Sequence, residues 1–477
     1  MLISSVVTAG WGYWGHHYFP NVLLLSLLLY LASRNTLTTI IALLFLFCSA
    51  MYAPVGMTYG KINSSFIVAL LQTNRNEAAE FIGLIPWYHL LMSVGILIFM
   101  PFFWWNHKKG YRQWIALLFF ILCSVNSWPL RMIKSASGDV VEVIQEMQHY
   151  AQLKPGADNW KIISKKPNYR TIVIVVGESV RRDYMSVYGY PLPTTSWLNN
   201  APGLFIDGYT SAAPHTVSSL SRSLIANYEQ EPKSGNTAIA LAKRAGYSTW
   251  WVSNQGSLGR NDSPISAIAS EAEHTIFLKK GGFASLEIDD DVLLRETEQA
   301  LADTSSKVIF IHMMGSHPNP CDRLHSWPNP YRGHFPDKVS CYLASIGKLD
   351  DFLRRLDAQL RKTDKNFAML YFSDHGLSVN SSGYPIHHDG NIQEGYKVPL
   401  IIMASDISSH QIVSKSISAR HFIGILEWLM GIHTENESSF NPWTDSDRKP
   451  VTVFNEQKNV FVNNLSSQAP ILPDMTK

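Results

Sequence analysis

Arg170–Asn200 reads RTIVIVVGESVRRDYMSVYGYPLPTTSWLNN, and Ala213–Ser221 reads APHTVSSLS. Thr171–Val176 is an unbroken run of mostly β-branched residues, the pattern of a strand buried on both faces. Gly177 then lets the chain turn, so that Glu178 emerges just past the strand end. In an open α/β sheet, ligands sit in the crevice beyond the carboxyl ends of the parallel strands. Other polar residues that reach the same edge therefore matter.

Downstream, helical and extended patterns alternate. VRRDYMSVYGY reads as a helix ending at Gly189. Helices are expected over 236–246, near 289–303, and over 340–362 and 419–430, with strands at 248–253, 307–312, 368–373 and 400–403. Leu343, Ile346, Leu349, Leu353, Leu356 and Leu360 make a stripe of helical period, which predicts packing on a sheet. The alternation predicts a mostly parallel sheet sandwiched by helices.

Three of these strands deliver metal-competent side chains. The first ends in Glu178; 307–312 ends in His312 and is followed by Gly315, Ser316 and His317; 368–373 runs into Asp374, His375 and Gly376. Singly, each is an ordinary strand-end cap or surface group. Together, carboxylates and imidazoles converging on one edge suit zinc, which keeps one position for a nucleophile or substrate when it is catalytic. The loop before 221 offers Thr216, Ser218, Ser219 and Ser221 as hydroxyl nucleophiles. A hydroxyl is weak at its free pKa, and metal coordination lowers that pKa.

The first 133 residues have a different character. Leu37–Met57, Pro86–Trp105 and Trp114–Leu130 each approach the roughly 20 apolar residues needed to cross a bilayer, while Val22–Ser33 is apolar but short. Trp87, Trp104, Trp105, Trp114 and Trp128 lie at the ends of these runs, where amphipathic rings favour the headgroup layer. Arg34 and the group His107, Lys108, Lys109 and Arg112 predict cytoplasmic loops, which places everything after Leu130 outside. Tyr59–Gly83 is amphipathic and is expected on the membrane surface. The expected organisation is a transmembrane domain over 1–133 with about four spans, an amphipathic linker over 134–169 and an extracytoplasmic domain over 170–477.

The 477 residues carry a formal net charge of +2, which gives no reason to expect nucleic acid as a partner. Of four cysteines, Cys48 and Cys123 read as small residues of an apolar core. Cys321 and Cys341 flank a Pro-rich loop that they could close as a disulfide in an oxidising compartment.

The string VVGES-x-R-x-D-x-x-S-x-YGY-x-x-x-TT, the loop with Thr216 and Ser219, HMMGSHPNP, SDHG, KVPLII and the upstream QTN-x-x-EA-x-E together resemble the bacterial phosphoethanolamine transferases. These belong to the alkaline phosphatase and sulfatase superfamily. The resemblance implies zinc held by Glu178, Thr216, Asp374 and His375, with one site expected and a second ion possible near His387, His388 and Asp389. It implies Thr216 as the nucleophile that forms a phospho-threonine intermediate, and His317 as its catalytic partner. The phosphoethanolamine group would be bound by His387 or His388, and the lipid donor by Gln72, Asn74, Glu77 and Glu80. The donor it implies is phosphatidylethanolamine and the acceptor lipid A, lipopolysaccharide core or a periplasmic glycan, at a multi-pass bacterial inner-membrane protein with its catalytic domain in the periplasm.

The chain departs from that family where it reads SDHGLSVNSS, where no cysteines surround the nucleophile, and in its short first span. Within the superfamily, a phosphoglycerol transferase shares the threonine chemistry. A sulfatase needs Cys or Ser followed by x-Pro-x-Arg; Ser218 and Arg222 have that spacing, but Leu220 stands where proline is required. An inactive membrane-anchored binding protein is the alternative from another class.

Overall fold

The computed structural model describes residues 1–13, 18–60, 62, 79, 82–83, 85–107, 113–125, 127–130, 158–226, 235–256, 264–279, 288–380, 386–435 and 439–473. The chain forms two compact units.

The N-terminal unit contains α1 (Leu2–Gly10), α2 (Tyr18–Ala32), α3 (Thr36–Tyr59), α4 (Leu90–Trp105) and α5 (Gln113–Val125). Helix α3 packs through Ala42, Leu46, Ala50 and Ala53 and exposes Leu37, Ile40, Ile41, Leu44, Phe47 and Met51. An apolar face turned outward costs nothing in hydrocarbon, and small residues let helices approach closely there. A Cβ on Gly56 would lie 2.1 Å from the carbonyl oxygen of Gly10. Two helical stretches, Thr36–Tyr59 and Trp87–Trp105, are long and apolar enough to cross a membrane.

Of the third expected span, Gln113–Val125 is helical, 13 residues, and its flanks at 108–112 and 126 lie outside the described residues. Helix α1 was not anticipated. Cys48 is exposed and Cys123 half-buried, so neither is a core residue; in an all-apolar helix, residue type does not mark the packed face. Most of the amphipathic segment 59–83 lies outside the described residues, as does the part of the linker before Asp158.

The second unit is built on an eight-stranded sheet. In chain order its strands are β1 (Thr171–Gly177), β2 (Gly203–Ile206), β3 (Ser248–Gly256), β4 (His274–Lys279), β5 (Lys307–His312) and β6 (Phe367–Ser373). A short hairpin outside the sheet follows, β7 (Ser378–Val379) with β8 (Ile386–His387), and then β9 (Leu400–Ala404) and β10 (His410–Val413). The spatial order is β10-β2-β9-β6-β1-β5-β3-β4. Only β9 runs against its neighbours; the other pairings are parallel.

Side chains of β1 alternate between two cores, as the period of two demands. Ile172, Ile174 and Val176 join one cluster with α10 (Phe422–Met430), after α6 (Thr216–Leu224), α7 (Ala238–Arg244), α8 (Asp291–Ala302) and α9 (Asp337–Thr363) in the chain. Val173 and Val175 join the other with α9, whose six predicted stripe residues are all buried in it. Both faces of β1 are covered, which explains its unbroken apolar run.

Cys321 and Cys341 are bonded and close a loop onto α9, a constraint worth about 3 kcal/mol for a loop of this length. The expected helix over 180–189 is instead two single 3-10 turns, Arg182–Tyr184 and Ser186–Tyr188. Thr194 Oγ1 accepts from Ser186 N at 3.0 Å and Thr195 Oγ1 from Val187 N at 2.9 Å. Side-chain hydroxyls here take the backbone bonds that a helix would use.

Candidate active site

Three central strands end level with one another. Gly177 of β1 is opposite Ser373 of β6, and Val176 is opposite His312 of β5. The chain leaves each strand at the same edge. The backbone continues the ladder one step, with Asp374 N on Gly177 O and Met313 N on Val176 O, both 3.0 Å. Gly177 is required here: a Cβ would sit 2.5 Å from the Tyr371 hydroxyl.

Glu178, Asp374 and His375 are each 1 % exposed or less. Thr216, at the start of α6, donates its hydroxyl to Glu178 Oε2 at 2.9 Å and lies 3.3 Å from His375 Nε2. That nitrogen is 3.2 Å from Glu178 Oε1 and 3.5 Å from Asp374 Oδ2. The four residues expected to share an ion therefore converge. His375 Nδ1 is 2.9 Å from the Gly376 carbonyl, which leaves Nε2 to face the cluster.

Three of the other hydroxyls of α6 are engaged elsewhere, and the fourth, Ser221 Oγ, is buried with no hydrogen-bond partner. Ser219 donates to Asp374 O at 2.6 Å and Ser223 to Ser219 O at 2.9 Å. Ser218 donates to Glu456 at 2.5 Å and to His215 O at 3.2 Å. Thr216 is the one whose oxygen meets Glu178 and His375.

Charge is poorly balanced in this dry setting. Burial, reinforced by the Glu178 carboxylate, pushes Asp374 up to about 8. Burial opposes the charge on His375, yet Asp374 and Glu178 outweigh it and raise the imidazole to about 9. Burial would likewise raise Glu178, but His375 holds it below the usual carboxylate range. Asp374 Oδ2 is buried and has no hydrogen-bond donor in good geometry. Two carboxylates, an imidazole and a hydroxyl around an unsatisfied buried oxygen fit a divalent cation with oxygen and nitrogen ligands.

His388 completes the surroundings. Its ring lies 4.5 Å from His215 in a stack, 4.7 Å from His375 and 6.1 Å from His317. The ligand atoms of Glu178, His375 and His388 all lie within 4.8 Å of one another and could hold a metal ion. Burial, with the neighbouring imidazoles, keeps His388 well below its ordinary value. The sequence left His387 and His388 open; His387 is paired with Ser378 in the hairpin, and His388 is the one against the other rings. Gln72, Asn74, Glu77 and Glu80 lie outside the described residues.

Some neighbours were not singled out from the sequence. His215 occupies the N-cap position of α6, directly before Thr216, without a side-chain capping bond, and a single histidine in a loop has no periodicity to reveal it. Asp290 accepts from Met314 N at 2.9 Å and Gly315 N at 2.7 Å, which holds the loop that carries His317. Tyr342 of α9 accepts from Arg181 N at 2.9 Å and donates to Ser179 O at 2.7 Å. His312, by contrast, stays in the sheet, edge-on to Trp251 at 5.7 Å.

Residues 170–432, which span the sheet and all of this cluster, match the Sulfatase family model, so the second unit is a sulfatase-type catalytic domain. The chain is 32% identical over 443 residues to the phosphoethanolamine transferase OpgE of Escherichia coli strain K12, a match covering 86% of this chain and 83% of that one. The chain belongs to the phosphoethanolamine transferases of this sulfatase-type family. Its fold is similar to the integral membrane lipooligosaccharide phosphoethanolamine transferase A (EptA) from Neisseria meningitidis, with TM-score 0.63 and 17% identity over 92% of this chain and 95% of that one. It is also similar to the C-terminal periplasmic domain of EcEptC from Escherichia coli in complex with Zn, with TM-score 0.55 and 22% identity over 65% and 97% of the two chains.

Proposed function

We propose that the chain transfers phosphoethanolamine from phosphatidylethanolamine to an envelope acceptor through a phospho-threonine at Thr216. The acceptor is a hydroxyl or phosphate of lipid A, lipopolysaccharide core or a periplasmic glycan. The observation that carries this reading is the Thr216 hydroxyl, 2.9 Å from Glu178 Oε2 and 3.3 Å from His375 Nε2 at the strand edge. The catalytic unit faces the periplasm, anchored by several membrane-spanning helices, as the positions of Arg34 and His107 to Arg112 support.

Glu178, Asp374, His375 and Thr216 would hold one zinc ion, as their donor set favours. Zinc supplies positive charge that eases ionisation of a hydroxyl and offsets charge on phosphoryl oxygens. Thr216 gives up its proton through the hydrogen bond to Glu178 Oε2, and Oγ1 attacks phosphorus in line. The bond from phosphorus to the glycerol oxygen breaks, and His317 protonates the departing diacylglycerol. His388 holds the phosphoryl oxygens, since this transfer depends on positioning and charge stabilisation. The acceptor oxygen then attacks phosphorus as its proton passes to His317; the bond from phosphorus to Thr216 Oγ1 breaks, and Oγ1 regains the proton held by Glu178.

The test is mass spectrometry of the intact protein after incubation with phosphatidylethanolamine. The wild type is expected to gain one phosphoethanolamine on Thr216, and Thr216→Ala none; an adduct that survives in the variant would overturn the assignment. Labelled phosphatidylglycerol in a parallel arm distinguishes a phosphoglycerol transferase.

A further inference from the structure

The C-terminal segment beyond Leu465 is bonded closely to the segments that frame the site. Gln468 uses its backbone and side chain together. Its Oε1 accepts from Val379 N at 2.8 Å and from Arg181 Nη1 at 2.9 Å. Its Nε2 donates to Ser378 Oγ at 3.1 Å, its backbone N–H donates to Glu394 Oε2 at 2.6 Å, and its carbonyl accepts from Arg181 Nη2 at 2.8 Å. Terminal segments fray unless they are tied down; here Gln468 bonds to three separate segments, and Ser467 and Ile471 add bonds to Glu394 and to Tyr184 and Tyr190.

Two of those segments lead directly to the cluster. Ser378 and Val379 form β7, and their partners across the hairpin are His387 and Ile386, so β8 runs straight into His388. Arg181 follows Glu178 by three residues and is wholly buried, with Asp183 bound to its guanidinium at 2.9 and 2.6 Å. The third segment closes the frame: Gly376, next to His375, donates its N–H to Gly395 O at 2.8 Å, beside Glu394. Gln468 thus joins the exit of β1 to the hairpin that carries His388.

We infer that Gln468 is a positioning residue that sets His388 against the Glu178, Thr216 and His375 cluster, acting through the β7–β8 hairpin. It touches no reacting atom. The hairpin strands are two residues each, too short to fix their own placement, so their position depends on what grips them from outside. Gln468 grips β7 at a main-chain N–H and at a side-chain hydroxyl. The inference rests on the proposed role of His388, and the test separates the two.

The experiment uses the full chain in vesicles containing phosphatidylethanolamine and a double-mutant cycle of Gln468→Ala with His388→Ala. Diacylglycerol release by Gln468→Ala is expected to fall roughly tenfold in kcat, about the effect of 1.4 kcal/mol in the barrier. In the His388→Ala background the same substitution is expected to change little. A second readout needs no turnover: carbethoxylation of His388 by diethyl pyrocarbonate, measured against exposed His334, is expected to quicken several-fold in Gln468→Ala. Equal losses in both backgrounds, or unchanged modification of His388, would overturn the inference. If the wild type releases no diacylglycerol, the functional reading fails while the modification rate still decides the positioning role.

Discussion

The imidazoles of His215 and His388 lie face to face, with centroids 4.5 Å apart and planes 19° apart. His215 directly precedes Thr216, and His388 follows the hairpin, so the stack joins two segments 173 residues apart in the chain. Both rings are kept neutral: burial and nearby His375 lower His215 to about 3, and burial with the other imidazoles lowers His388. Neutral rings stack without charge repulsion.

Replacing His215 with alanine removes the platform under His388. Aromatic pairs are worth about 0.5–1.5 kcal/mol beyond their burial, so kcat for transfer is expected to fall by up to roughly tenfold. His215→Phe keeps a flat ring and removes a buried Nε2 that has no hydrogen-bond partner, so it is expected to retain most activity with an unchanged or higher thermal midpoint. Steady-state kinetics and calorimetry of both variants check this. A phenylalanine variant as slow as alanine would show that the nitrogen, and not the face, is what matters.

Asp374→Asn is expected to abolish retention of zinc through dialysis, measured by elemental analysis of the purified protein. The metal-free fold should not suffer. Asp374 is pushed up to about 8 by burial and by Glu178, so near pH 7 the metal-free site already favours a neutral side chain there. The thermal midpoint of the metal-free variant is expected to match or exceed that of metal-free wild type, with the stabilisation by added zinc lost.

Acid sensitivity should include a contribution from His312. Burial lowers it to about 4, while Glu178 opposes the shift; the unfolded chain titrates near 6.5. Between these values the unfolded state binds the extra proton, so stability is present above about 6.5 and is lost as pH falls toward 4. The full difference is about 3 kcal/mol. Denaturant titrations of wild type and His312→Gln from pH 7 to 4 are expected to diverge by an amount of that order; parallel curves would rule out this residue.

What the sequence reveals and what it hides follow from physical causes. Runs such as Thr171–Val176 and Lys307–His312 are legible because strands buried on both faces must be apolar throughout. Gly203–Ile206 and His410–Val413 escape because a glycine in the one and polar His410 and Gln411 in the other break up runs that are only four residues long, whereas Leu400–Met403 is apolar throughout. The segment after Arg181 has a helical pattern but forms 3-10 turns, because Thr194 and Thr195, which capture its backbone, lie outside it. The convergence of Glu178, Thr216, Asp374 and His375 was legible from strand ends together with the family motifs. The parts contributed by His215 and Gln468 were not, since each acts through contacts with residues more than 70 positions away.

The level ends of β1, β5 and β6 constrain how this domain can change in length. Deleting one residue inside any of the three would draw its exit back by about 3.3 Å and turn its side chains to the opposite face. Glu178 and Asp374 would then no longer meet around one point. Changes of length are better accommodated in the surface connections between strands. The edge that carries the chemistry thus acts as the ruler against which the rest of the domain varies.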